Sequence, residues 1–152
     1  MQRMDRTRVR KIAAAGAIAA LVSVGAGAGA AGANPGGVPA IPLNTEQEVT
    51  GSNTGANGFF SYTIDGDQLC YTMSARNLSL PATAAHIHLA PRNVAGPVLV
   101  PLTVGSGSSW TVSACAAADE AVLQAIADSP RSYYVNVHTP TFPGGEIRGQ
   151  LK

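Results

Sequence analysis

On either side of Asp65-Gly66 the chain alternates apolar and polar side chains without a break. Phe60, Tyr62 and Ile64 precede the pair. Leu69, Tyr71, Met73 and Ala75 follow it, interleaved with Cys70, Thr72 and Ser74. Successive side chains of an extended strand point to opposite faces, so each run has one apolar side and one polar side. Asp-Gly supplies the positive φ of a tight hairpin turn. The pattern predicts a β-hairpin over residues 59–75. A hairpin with one apolar face must find a second layer to cover it, which excludes most helical folds at once.

Other short segments repeat the signal. Residues 84–89, 97–104, 109–115, 132–138 and 146–151 read as strands, separated by stretches rich in Gly, Pro and Ser. Gly and Pro together make up 27 of the 152 residues, which suits a turn-rich β protein. Residues 44–51 read as an edge strand, with Glu46 and Glu48 discouraging edge-to-edge association. One segment departs from period two. Between residues 117 and 128, Val122, Leu123 and Ile126 recur at helical spacing, Asp119 and Glu120 suit the positive N-terminal end, and Pro130 prevents continuation. The expectation is an all-β fold: an antiparallel Greek-key β-sandwich of about eight strands with one short helix, over residues 43–152.

The first third of the chain is different in kind. Arg3, Arg6, Arg8, Arg10 and Lys11 precede an Ala/Gly-rich apolar run from residue 12 to 31. A basic head, an apolar middle and the small-residue exit Ala31-Gly32-Ala33 predict a secretory signal peptide over residues 1–33. Ala28-Gly29-Ala30 offers a second cleavage site. Residues 34–42 then form a flexible Pro/Gly linker. Without residues 1–33 the chain carries five Lys/Arg against eight Asp/Glu, a net charge of −3. That leaves no basic patch for nucleic acid, and cleavage leaves no stable membrane insertion. Export to an oxidising compartment makes a Cys70–Cys115 disulfide the default, adding ~3–4 kcal/mol by the chain-entropy argument. A secreted or cell-surface location follows.

The chain has three histidines, all in strand-like segments. In Ala85-His86-Ile87-His88-Leu89 the alternation puts Ala85, Ile87 and Leu89 toward a core and the two imidazoles on the other face. Val135-Asn136-Val137-His138 has the same pattern. If residues 132–138 and 146–151 form a hairpin with a seven-residue loop, His138 pairs with Glu146, Asn136 with Arg148 and Tyr134 with Gln150. Val137 with Ile147 and Tyr133 with Leu151 then face the core. Two readings of the polar face follow. If the two histidine strands are neighbours, His86, His88 and His138 converge on a Cu or Zn ion, with Glu146, Asn136 and Arg148 around them. Otherwise these polar residues form a hydrogen-bond network that fixes strand register. No G-x-S-x-G nucleophile motif and no phosphate-binding Gly loop before a helix is present.

Two stretches resemble the CHRD domain, found in the secreted regulator chordin and singly in exported bacterial proteins. One is Ala82-Thr83-Ala84-Ala85-His86-Ile87-His88 with Gly96-Pro97-Val98-Leu99-Val100. The other is Tyr133-Tyr134-Val135-Asn136-Val137-His138-Thr139 with Phe142-Pro143-Gly144-Gly145-Glu146-Ile147-Arg148-Gly149-Gln150-Leu151. The resemblance implies a secreted β-sandwich with no defined catalytic activity, hence a non-enzymatic binding or structural module with an extracellular protein or cell-envelope partner. Loops 89–96 and 139–145, with Arg92 and Phe142 as exposed anchors, are the candidate contacts. The family commonly has a Gly-rich turn after His-x-His; here the residues are Leu89-Ala90-Pro91-Arg92-Asn93. His86-Ile87-His88 is also similar to part of the copper site of Cu/Zn superoxide dismutases, another Greek-key fold. A redox role like theirs is the alternative, though their other metal ligands have no counterpart here.

Overall fold

The Asp65-Gly66 turn joins β2 (Asn57–Asp65) to β3 (Gln68–Arg76), paired without a slip from Asn57↔Arg76 to Asp65↔Gln68. Gly66 adopts φ +56, the left-handed conformation that the turn requires. Phe60, Tyr62, Leu69, Tyr71, Met73 and Ala75 are buried, as the alternation predicts. The structure, a computed structural model, describes residues 40–152. The signal peptide expected over residues 1–33, and residues 34–39 of the expected linker, lie outside the described residues.

The remaining strands are β1 (Ile41–Asn44), β4 (Ala84–Leu89), β5 (Val98–Leu102), β6 (Trp110–Ala117), β7 (Tyr133–His138) and β8 (Ile147–Gln150). All eight are antiparallel to their neighbours in the order β5-β4-β7-β8-β1-β2-β3-β6. Hydrogen bonding runs through the whole set, but its midpoint is narrow: β1 and β8 pair only at Asn44↔Arg148. The sheet therefore behaves as two four-stranded halves, folded over a shared core as the layers of a sandwich. Its edge strands β5 and β6 come into contact, so the sheet approaches closure. Closure of this kind protects edges that would otherwise recruit other strands. Tyr71 reaches across, donating its hydroxyl to the Thr103 carbonyl at 3.3 Å and accepting from the Thr103 N–H at 2.7 Å.

The helix α1 (Glu120–Asp128) begins where Asp119 accepts hydrogen bonds from the Ala121 and Val122 N–H groups. Such a cap typically stabilises a helix by about 1 kcal/mol. Leu123 and Ile126 are its buried residues, and Pro130 opens a 3-10 turn after it. Cys70 and Cys115 are directly paired across β3 and β6 and joined by a disulfide on the outward face. Among the described residues no helix is long and apolar enough to cross a membrane.

Two expectations are corrected. Residues 44–51 are not an edge strand. β1 is interior to the sheet, a 3-10 turn follows at Thr45–Gln47, and Glu48 is buried rather than an exposed gatekeeper. Leu89 does not face the core; it is 43% exposed. Opposite Ile87 and His88 the pairing with β5 skips a residue, from Val100 to Val98, and beyond this irregularity the strand leaves the core.

Candidate metal centre

Non-sequential strands bring the histidines together. β4 and β7 are neighbours, with Ala84↔His138, His86↔Asn136 and His88↔Tyr134 in register. His86 and His138 are thus diagonal neighbours on one face, within reach of long side chains. The register of β7 with β8 is the one the hairpin predicts: Tyr134↔Gln150, Asn136↔Arg148 and Val137↔Ile147. The ladder ends at Val137↔Ile147, so the expected His138–Glu146 pair does not form; the Glu146 N–H instead donates to the Val137 carbonyl, one residue out of that register.

Alternation alone leaves this polar face in water, but here it is roofed. Residues 90–97 fold over it, as do residues 50–54 and 139–145. Arg148 donates to the Val94 and Pro91 carbonyls at 2.8 and 2.7 Å, and Gln150 donates to the Ala90 carbonyl at 2.8 Å. Thr50 and Ser52 donate to the carbonyls of Gly145 and Glu146. Every residue of β7 is consequently buried, on both faces. Phe142, expected as an exposed anchor, is half-buried, while Arg92 is exposed.

One ring nitrogen from each of His86, His88 and His138 lies within 4.8 Å of the other two. His88 and His138 are buried and His86 is half-buried. A carbonyl oxygen can only accept, so each carbonyl bonded to a ring nitrogen fixes the proton there. His88 Nδ1 lies 2.9 Å from the Gly96 carbonyl, and His138 Nδ1 lies 2.9 Å from the Pro143 carbonyl. Both rings therefore carry their proton on Nδ1 and present a bare lone pair at Nε2. His88 Nε2 is buried with no hydrogen-bond partner. His138 Nε2 lies 3.0 Å from His86 Nδ1. Without a cation, the His86 Nδ1–H donates to it. Were a cation held there, His86 would carry its proton on Nε2 and offer a third lone pair. Nitrogens of a tetrahedral zinc site stand about 3.3 Å apart at the usual bond lengths, so small ring movements would suffice.

Electrostatics favour the neutral, ligand-ready form of all three rings. Burial lowers the pKa of His86, helped by the neighbouring His88. Burial lowers that of His88, although the Gly96 hydrogen bond and the neighbouring Asn136 side chain oppose it, and Arg148 adds to the lowering. Burial also lowers that of His138, against the Pro143 hydrogen bond and with His86 and His88 beside it.

Of the three residues expected around the histidines, two are beside them and one is turned elsewhere. The Tyr134 ring stacks on His88, with centroids 4.7 Å apart and planes 4° from parallel, and the Arg148 guanidinium lies 3.3 Å from the Tyr134 centroid. Asn136 contacts both His88 and Glu48. The Glu146 carboxylate points at hydroxyls. Its Oε1 accepts from Thr54 Oγ1 and the Ser79 N–H, and its Oε2 from Ser79 Oγ and Thr139 Oγ1, at 2.7–2.8 Å. Burial alone would raise its pKa; the hydrogen bonds from Thr54, Thr139 and Ser79 hold it below the usual carboxylate value.

Glu48 is the residue that the strand pattern missed. Its carboxyl is buried beside Arg148 and Asn136, and burial outweighs both to push its pKa up to about 7. A Cβ at Gly145 would collide with Glu48 Oε1, and Gly145 also adopts φ +127, so no other residue fits there. The glycine was the available signal, since its position says that something must approach the backbone closely.

No curated protein and no solved structure matches the chain. The family model described as CHRD domain matches residues 40–151, a stretch that takes in all eight strands and the three histidines, and the chain therefore belongs to the CHRD-domain family.

Proposed function

We propose that this protein is an exported CHRD-domain binding module that holds a copper or zinc ion through His86 Nδ1, His88 Nε2 and His138 Nε2. The observation that carries the reading is the pair of proton locks. The Gly96 and Pro143 carbonyls hold the protons of His88 and His138 on Nδ1 and leave both Nε2 atoms as acceptors, in a cluster whose three rings each bring one nitrogen within 4.8 Å of the others. His88 Nε2 is buried and unpartnered, and a buried acceptor without a donor typically costs about 1–3 kcal/mol. A hydrogen-bonded outer ring nitrogen is the usual support of a metal-binding histidine. Nitrogen donors suit copper and zinc. Asn136 and Arg148 act from behind the ligands, Arg148 through Tyr134, while Glu146 anchors the loops that carry the site. Export is supported by the basic and apolar opening of the sequence and by the Cys70–Cys115 disulfide, which suits an oxidising compartment.

Metal analysis of protein purified without a His tag tests the site. Stoichiometric copper or zinc, lost in His88→Ala, is the expected result. Absence of metal, together with an unchanged melting temperature on adding either ion, would leave only the register-fixing network.

A further inference from the structure

We infer that an ion held by His86, His88 and His138 keeps one coordination position open on the His86 side, and that this position takes a small monoanion. The inference rests on the metal reading above and adds to it the class of ligand that the centre would present to solvent.

Donor count is the first ground. The three histidines are the one group of His, Cys, Asp or Glu side chains that converges at metal-binding distances among the described residues. The two buried acids nearby are engaged elsewhere. Glu146 accepts four hydrogen bonds on its two oxygens, from Thr54, Ser79 twice and Thr139. Glu48 faces Arg148 and Asn136. Three protein ligands with one position left over is the arrangement of exchangeable zinc sites, whereas closed structural sites have four.

Access is the second. His88 and His138 are buried, their Nδ1–H groups bonded to the Gly96 and Pro143 carbonyls of the roofing loops. His86 is half-buried, and neither of its ring nitrogens is tied to the backbone in this way. The fourth position therefore falls on the side of His86, the least buried of the three rings, and the burial of the other two favours a ligand of few atoms.

Charge is the third. Three neutral imidazoles supply no compensation for the ion. The charged side chain stacked behind His88 is a cation, Arg148, lying over Tyr134. A bound ion is often the largest charge in its surroundings, and at reduced dielectric an uncompensated cation attracts an anion more strongly than water.

The experiment loads the tag-free wild-type protein with Co(II), whose visible absorption reports coordination, removes excess ion by dialysis and titrates with sodium azide. The expected result is a spectral change that saturates at one azide per bound cobalt. A cobalt spectrum indifferent to azide would overturn this inference and leave the metal site standing, with a protein donor such as Asn136 in the fourth position. Failure to retain cobalt, copper or zinc would overturn the metal reading itself, and this inference with it.

Discussion

The two halves of the sheet are built from strands with the same alternation, and they put their polar faces to different uses. In the half formed by β2, β3 and β6, the outward residues Thr63, Thr72, Thr111, Ser113 and Cys115 meet solvent. In the half formed by β4, β7 and β8, the equivalent face carries His88, Asn136, His138 and Arg148, all buried. The difference lies in the loops. Nothing polar needs to be satisfied on the first face beyond what water supplies. On the second, loops lie over the strands, and buried donors such as the His88 and His138 Nδ1–H groups and the Arg148 terminal nitrogens find acceptors in the protein. Backbone carbonyls of residues 90, 91, 94, 96 and 143 serve as those acceptors. A face roofed this way positions its side chains rigidly, as a binding site requires and a wet face cannot provide.

The contrast is broken most severely at Arg148. This residue is fully buried, holds two carbonyls of the roofing loop, stacks on Tyr134 and faces Glu48. Arg148→Ala should destabilise the protein by about 3–5 kcal/mol, because it strands a buried carboxyl and frees the loop. Arg148→Lys should recover only part of that, since an ammonium cannot bind two carbonyls and stack at once. Urea unfolding of the wild type and both variants measures it. A loss below about 1 kcal/mol for the alanine variant would mean that the roof is not held by this side chain.

Legibility in the sequence divides along the same line. The β2–β3 hairpin, the β7–β8 register and the helix ending before Pro130 are all carried by local pattern, which a single sequence displays; the Cys70–Cys115 pairing, 45 residues apart, is legible because the chain has just two cysteines. The meeting of β4 with β7 is not local, because 43 residues separate Leu89 from Tyr133 and no pairing rule chooses that neighbour. The histidine cluster was therefore readable only as a condition. Its proton locks were out of reach altogether, since the acceptors are backbone carbonyls and any residue type has one. Glu48 reads as exposed in the sequence because a charged residue between short segments looks solvent-facing unless a loop covers it. Its signature is spread over Gly145, Asn136 and Arg148 from elsewhere in the chain.

Glu48 sharpens the comparison through pH. Its pKa is raised from 4.5 to about 7 in the folded protein. The folded state thus binds this proton more tightly than the unfolded state, so the contribution of Glu48 to stability is greatest below pH 4.5 and falls as pH rises through 7. The full change corresponds to about 3 kcal/mol. The three histidines act in the opposite sense, since their lowered pKa values make the unfolded chain the better proton acceptor as pH falls. The difference between wild type and Glu48→Gln isolates the carboxyl. With chelator present, the glutamine variant should gain about 3 kcal/mol on the wild type between pH 4 and pH 8. A difference constant across that range would show that Arg148 and Asn136 fully compensate the burial.

The smallest effect belongs to the wet face. Thr72 and Ser113 are paired across β3 and β6, both exposed, with their hydroxyls 2.9 Å apart. A cross-strand pair of this kind contributes roughly 0.2–1 kcal/mol, because water replaces whatever hydrogen bond is lost. Thr72→Ala should therefore cost about 0.5 kcal/mol, read from the urea midpoint. The same deletion of a hydroxyl at Thr139, on the roofed side, removes a donor from the buried Glu146 carboxylate. No water is positioned by exposure to replace that donor, so Thr139→Ala should cost about 1–3 kcal/mol. Two threonines truncated identically thus weigh one face against the other. Equal losses would mean that water reaches the Glu146 carboxylate as freely as it reaches Thr72, and the roof over β7 would not be closed.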